Sequence, residues 1–93
     1  MSIQEIIKHT ETVVIDVRSP MEFSGGNVAD SINIPLQDLP NRINELKKDS
    51  GNIVLCCASG GRSGIATQLL KGQGFNNVYN GGGWTEVNYL KNN

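Results

Sequence analysis

The residues best suited to chemistry lie in one glycine-rich segment in the second half of the chain. In chain order they are Cys57, Ala58, Ser59, Gly60, Gly61, Arg62 and Ser63, here called the cysteine segment. Because small residues let the backbone curl tightly, several of its N–H groups can face one point and hold an anion there. A thiol at that point is favoured as a thiolate by the N–H dipoles, by a following helix N-terminus and by the Arg62 cation. We therefore predict that Cys57 is a nucleophile at neutral pH and that residues 58–63 bind its anionic substrate.

Two other interpretations of the segment follow from the residues alone. A cysteine at the end of a buried strand is often a small core residue, and a glycine-rich turn often only saves space. Phosphate-binding loops share the same physics, but Arg62 stands where such a loop has lysine, and the glycine spacing differs. The pattern therefore disfavours nucleotide binding, whereas a purely structural cysteine remains an alternative.

Cysteine and histidine usage argues against a metal centre. The two cysteines, Cys56 and Cys57, are adjacent in the chain, which would strain a disulfide between them. No second cluster of cysteine or histidine has the spacing of zinc ligands. The one histidine, His9, falls in the first predicted helix, where we expect it on the solvated surface. The sequence predicts no metal site, no cofactor and at least one free thiol.

Two apolar runs predict the strands that carry the sheet. Residues 13–17, and residues 53 to 56 or 57, are mostly β-branched or apolar without alternation, as in strands buried on both faces of a parallel sheet. Shorter strands are predicted at residues 31–34 and 77–79. In such sheets ligands bind where the carboxyl ends of strands meet helix N-termini. The cysteine segment follows the second apolar run and is expected at that edge.

Helices are predicted between these strands, and the alternation indicates an α/β fold with helices on both faces of the sheet. Capping residues mark two starts: Ser2 with Glu5, and Ser19 with Pro20 and Glu22 for a brief helix to about Phe23. The apolar faces of the later helices are Leu39, Ile43 and Leu46 after a start at Pro40, then Ile65, Ala66, Leu69 and Leu70, and finally Trp84, Val87 and Leu90. Lys47 and Lys48 are expected near the end of the third helix, and loops at residues 24–27, 49–52 and 80–83.

Four blocks of the sequence together resemble the single-domain rhodaneses. They are Asp16-Val17-Arg18 with Pro20 and Glu22-Phe23, Ser31-x-Asn33-Ile34-Pro35-Leu36, Cys57-x-x-Gly60-x-Arg62-Ser63, and Gly82-Gly83-Trp84. The resemblance covers roughly residues 3–91 and implies one rhodanese domain over residues 1–93. It implies a rhodanese-like α/β fold with a central parallel sheet of about five strands. By motif position, Cys57 would be the catalytic cysteine that carries sulfur as a persulfide.

Other residues near these blocks are interpreted as structural. Asp16, at a strand end, is expected to bind nearby backbone N–H groups, and Arg18 is expected to pair with Glu22. Trp84 is expected to anchor the core where its helix begins. The stretch at residues 26–31 departs from the Gly-His-Ile pattern of many rhodaneses, and this departure bears on pocket shape and acceptor choice.

The resemblance implies transfer of sulfane sulfur from thiosulfate, a polysulfide or a persulfide, through a Cys57 persulfide, to cyanide, a thiol or a protein. One alternative is a carrier module that hands its persulfide to a partner enzyme. A less favoured one is a cysteine phosphatase, because phosphatase loops hold one residue more than the four between Cys57 and Arg62. The shorter ring suits a single sulfur atom better than a phosphoryl group.

Composition limits the partners. Eight Lys and Arg against nine Asp and Glu leave a net charge of −1, too little for a nucleic-acid-binding face. The apolar runs are far shorter than the ~20 residues of a membrane span, and the first residues lack the pattern of a secretory signal. We expect a cytoplasmic protein that takes sulfur from a small donor anion and passes it to a protein or low-molecular-weight thiol, without binding nucleic acid or membrane.

Overall fold

A computed structural model describes residues 2–46 and 51–93, in which helices and short strands alternate. The elements are α1 (Ile3–Lys8), β1 (Val13–Asp16), α2 (Pro20–Ser24), β2 (Ile32–Asn33), α3 (Leu39–Arg42), β3 (Ile53–Cys57), α4 (Gly61–Gly72), β4 (Val78–Gly83) and α5 (Trp84–Asn92). Single turns of 3₁₀ helix, Leu36–Asp38 and Ile43–Glu45, flank α3. The expected positions of Lys47, Lys48, Asp49 and Ser50 lie outside the described residues.

The four described strands form one parallel sheet in the order β2-β1-β3-β4. The central strands β1 and β3 pair from Val13 with Ile53 to Asp16 with Cys56. Helices cover both faces of these strands, which is why their sequences are apolar without alternation. The predicted α/β fold is confirmed, with four strands in the described residues where about five were expected.

Alternate residues of β3 enter two separate cores. Ile53, Leu55 and Cys57 belong to the cluster that contains Ala66 and Leu70 of α4. Val54 and Cys56 belong to the cluster that contains Ile6 and Ile7 of α1 and Val87 of α5. Helices therefore cover the sheet on both sides. Because successive side chains of a strand point to opposite faces, the side chains of Cys56 and Cys57 lie on opposite sides of the sheet.

The predicted helix starts are confirmed at α1 and α2. In both, the serine hydroxyl accepts the backbone N–H three residues later, and the glutamate at that position accepts the N–H of the serine. Such a capping box satisfies two donors that a helix start leaves unpaired. The third predicted helix is shorter than expected. The α-helix α3 ends at Arg42, and the next residues form a 3₁₀ turn. No helix among the described residues has the length and apolar character that crossing a bilayer requires.

The predicted loop at residues 80–83 is wrong, because β4 continues through these residues to Gly83. Cys56 pairs with Gly82 and Cys57 with Gly83, after an irregularity in register between Leu55 and Cys56. A Cβ atom at Gly81 would lie 2.7 Å from both Val54 Cγ1 and Val87 Cγ2. The glycine thus permits close packing within a strand and does not mark a turn.

Candidate active site

The cysteine segment joins the carboxyl end of β3 to the start of α4. Cys57 is the last residue of β3, and its side chain is 1% exposed. Ala58 and Ser59 are exposed, and Gly61 begins α4. Gly60 lies between them with a φ of +101°, a left-handed conformation that favours glycine. This conformation turns the chain back so that the segment surrounds the Cys57 sulfur.

Hydrogen-bonding groups of the segment converge on the sulfur. The Gly60 N–H donates to Cys57 Sγ at 2.9 Å, and Ser63 Oγ lies 3.4 Å from the same atom. Burial raises the pKa of Cys57, but hydrogen bonds with the Ser63 hydroxyl and with backbone N–H groups outweigh burial. Those N–H groups belong to Ser63, Gly60 and Ser59. The resulting pKa of Cys57 is about 7, against an ordinary value of 9.0.

Cys56, one residue earlier, has the opposite character. Its side chain is fully buried on the other face of the sheet. Burial, followed by the nearby Asp16 carboxylate, raises the pKa of Cys56 to about 12. Cys56 is therefore a protonated core residue at neutral pH. With a pKa of about 7, the Cys57 thiol is ionised in about half of the molecules near pH 7.

The Arg62 guanidinium is paired with a carboxylate from another element. Its two terminal nitrogens donate to the two carboxylate oxygens of Glu22 in α2, at 2.8 and 2.9 Å. This pairing is the main reason that the pKa of Glu22 falls to about 2. Through Arg62, the cysteine segment is therefore held to α2. The expected pairing of Arg18 with the Glu22 carboxylate is wrong. The carboxylate binds Arg62, and Arg18 Nη1 donates to the backbone carbonyl of Glu22.

Arg18 instead belongs to a buried network at the end of β1. Its Nη2 lies 2.6 Å from Asp16 Oδ2 and 2.7 Å from the Gly26 carbonyl, and Asp16 Oδ1 also accepts the Arg18 backbone N–H. The Arg18 guanidinium lies over the half-buried Trp84 ring at 4.8 Å. Asn33 adds side-chain bonds to the carbonyls of Asp16 and Arg18. Asp16 thus binds a backbone N–H as expected, and Arg18 is structural through Asp16 instead of Glu22. Trp84 packs against the core cluster that contains Val87, as expected of a core anchor.

Sequence reasoning missed Asn80 and the hydroxyl of Ser63. Asn80 Nδ2 donates to the Gly60 carbonyl at 3.2 Å, and Asn80 Oδ1 accepts from Ser63 Oγ at 2.7 Å. Asn80 lies in β4, the strand next to β3. A polar residue near the end of a neighbouring parallel strand is the signal that could have identified it.

The remaining sequence candidates lie elsewhere. His9 is exposed after α1, where its Nδ1 accepts the Glu11 N–H at 3.2 Å. Its exposure agrees with the expectation of a solvated surface residue. Across residues 2–46 and 51–93, no group of His, Cys, Asp and Glu side chains could hold a metal ion.

Comparison with known proteins identifies a family and several relatives that this chain resembles. The family model described as "Rhodanese-like domain" matches residues 2–89. The chain is 43% identical over 67 residues to the uncharacterized protein YqhL of Bacillus subtilis, covering 72% of this chain and about half, 52%, of that protein. It is 35% identical over 80 residues to a sulfurtransferase of Allochromatium vinosum, covering 85% of this chain and 74% of that protein. It is 35% identical over 74 residues to the thiosulfate sulfurtransferase PspE of Escherichia coli, covering 78% and 71%.

Solved structures show the same fold. A rhodanese-related protein from Thermoplasma volcanium superposes with a TM-score of 0.72 at 38% identity, covering 82% of this chain and 78% of that chain. A likeness of this extent supports the α/β architecture described above.

Proposed function

The chain belongs to the rhodanese-like family, and from that premise we propose that it is a sulfurtransferase in which Cys57 carries sulfur as a persulfide. The observation that carries the proposal is the convergence of the Gly60 N–H and the Ser63 hydroxyl on a Cys57 sulfur whose pKa is about 7. A thiolate of that pKa is both populated and nucleophilic at neutral pH. The sulfurtransferases among its relatives support the same chemistry.

The first half of the reaction loads the sulfur. The Cys57 thiolate attacks the outer, sulfane sulfur of thiosulfate or of a persulfide, and a new S–S bond forms. The S–S bond of the donor breaks, and its electron pair leaves with sulfite or with the donor thiolate. The backbone N–H groups of residues 58–63 surround the developing negative charge on the transferred sulfur.

The second half unloads it. A thiophilic acceptor, such as cyanide or a thiol, attacks the outer sulfur of the persulfide. The S–S bond to Cys57 breaks, and its electron pair returns to Cys57 as the thiolate. Covalent catalysis of this kind divides one difficult transfer into two easier steps.

Arg62 gives the site its selectivity for the donor. A planar guanidinium can bind the sulfonate of thiosulfate with two parallel hydrogen bonds. Here the same two nitrogens already bind Glu22, at 2.8 and 2.9 Å. A sulfonate must compete with the Glu22 carboxylate, whereas a persulfide donor without a second anionic group does not.

Turnover with thiosulfate and cyanide tests the proposal. We expect Cys57→Ser to abolish thiocyanate formation, because a hydroxyl cannot form a persulfide. Cys56→Ala is the matched control: it removes the neighbouring thiol on the other face of the sheet and should keep most of the activity. Retained turnover in Cys57→Ser, or loss of turnover in a folded Cys56→Ala protein, would contradict the assignment. Comparing small acceptors with protein thiols then separates an enzyme from a persulfide carrier.

A further inference from the structure

Asn80 contacts two residues, Gly60 and Ser63, that themselves contact the Cys57 sulfur. Its Nδ2 donates to the Gly60 carbonyl, and its Oδ1 accepts both the Gly82 N–H at 3.0 Å and the Ser63 hydroxyl at 2.7 Å. The N–H donor of Gly82 requires an oxygen at one end of the amide, and the Gly60 carbonyl requires a nitrogen at the other. The orientation of the amide is therefore fixed, with Oδ1 facing Ser63.

The Ser63 hydroxyl has one hydrogen and two neighbours that can accept it, Asn80 Oδ1 and Cys57 Sγ. Asn80 Oδ1 carries no hydrogen, so the 2.7 Å bond uses the one proton of the Ser63 hydroxyl. In the 3.4 Å contact between Ser63 Oγ and Cys57 Sγ, the thiol must then be the donor. This arrangement suits a neutral thiol. A thiolate has no proton to give, so it can only accept from the Ser63 hydroxyl.

We propose that Asn80 is a positioning residue whose Oδ1 competes with the Cys57 sulfur for the single proton of Ser63. When Cys57 releases its proton to solvent, the Ser63 hydroxyl rotates away from Oδ1 and donates to the thiolate, while Oδ1 keeps the Gly82 N–H. When Cys57 becomes a persulfide, the negative charge moves to the outer sulfur and the hydroxyl returns to Asn80. The inference rests on the proposed function only in taking Cys57 as the reacting thiol.

This competition affects how strong a nucleophile the Cys57 thiolate is. An attacking thiol works best when its pKa is close to the ambient pH, because a more stabilised thiolate is a weaker nucleophile. By holding the Ser63 proton in the neutral state, Asn80 keeps the thiolate from excessive stabilisation. The side chain is exposed at the surface, so substitutions there should leave the fold intact.

The pKa of Cys57, measured by the pH dependence of iodoacetamide alkylation in a Cys56→Ala background, tests the inference. Asn80→Asp should raise this pKa by about one unit, because a carboxylate holds the Ser63 proton more strongly and adds a like charge. Asn80→Ala should lower it, since Ser63 loses the rival acceptor. Ser63→Ala alone should raise it. Adding Ser63→Ala to Asn80→Asp should produce little further change, because Ser63 no longer donates to sulfur in the single variant.

Asn77→Asp, which adds the same charge at another exposed residue beside β4, is the control and should leave the pKa close to that of the parent. Two results would overturn the inference: an Asn80→Ala pKa at or above that of the parent, or fully additive shifts in the double variant. Alkylation requires no sulfur donor. These results can therefore be separated from any failure to detect sulfur transfer.

Discussion

Cys56 and Cys57 are adjacent in the chain, but their side chains lie on opposite faces of the sheet. The pKa of Cys56 is raised to about 12 by burial, whereas that of Cys57 is lowered to about 7 because its sulfur meets hydrogen-bond donors in the cysteine segment. Alternation along β3 thus places the two thiols in different surroundings, and only that of Cys57 suits the nucleophile proposed above.

Alkylation of Cys57 should follow a single titration with a midpoint near pH 7. Only the thiolate reacts, so the rate should rise about tenfold per pH unit below the midpoint and level off above it. Iodoacetamide rates measured from pH 5 to pH 10, with mass spectrometry to locate the label, check this. Cys56→Ala should give the same curve. A midpoint at the ordinary value of 9.0 would show that the segment does not stabilise the thiolate.

Glu22 restrains the cation of Arg62 on the surface of the site. Replacing Glu22 with Gln removes the competing charge but preserves the capping box of α2, since glutamine can take the same role. We expect the KM for thiosulfate to fall about threefold, an effect in keeping with an exposed ion pair. The KM for a donor that lacks a sulfonate should not change. Steady-state kinetics with both donors measure this difference.

Arg62→Ala is the companion variant. It should raise the KM for thiosulfate and remove the benefit of Glu22→Gln when the two are combined, because the gain depends on a free guanidinium. If Glu22→Gln still improves thiosulfate use without Arg62, the carboxylate repels the donor directly and the ion pair does not set selectivity.

At the scale of elements, β4 brings Asn80 beside the cysteine segment. Its path depends on Gly81, where a Cβ atom would lie 2.7 Å from Val54 and Val87. Gly81→Ala should destabilise the fold by about 1–3 kcal/mol, as overpacking in a core does. The midpoint of urea unfolding measures the loss. Gly72→Ala is the control, because a Cβ there meets nothing within 4 Å and the residue ends α4. Equal stability of the two variants would contradict the packing described for β4.

Most elements were predictable because their signals are local. Apolar runs without alternation predicted β1 and β3, and serine–glutamate capping boxes predicted α1 and α2. The extent of β4 was not predictable, because its glycines have the composition of a loop and only their packing against Val54 and Val87 shows a strand. The sequence also predicts Cys57 and its segment as the candidate site, and the structure places Gly60 and Ser63 of that segment against the Cys57 sulfur. The partner of Glu22 could not, since sequence distance favoured Arg18 over Arg62, which lies 40 residues away.

For the molecule as a whole, separate parts of the chain build the surroundings of the Cys57 sulfur. β3 supplies Cys57, α4 supplies Ser63, β4 supplies Asn80, and the α2 carboxylate of Glu22 fixes Arg62. The buried Asp16–Arg18 pair connects the end of β1 to the Gly26 carbonyl. A site assembled in this way on a parallel sheet lies at the carboxyl ends of its strands, where α/β proteins bind ligands.

The most direct test of the central claim is the intact mass of the chain after incubation with thiosulfate. The wild-type protein and Cys56→Ala should each gain the mass of one sulfur atom, removable by cyanide or by a reducing thiol, and the fragment that contains residue 57 should carry it. Cys57→Ser should gain nothing. An unchanged wild-type mass with thiosulfate and with a persulfide donor, or a sulfur adduct on the Cys57→Ser protein, would contradict the proposal that Cys57 carries sulfur.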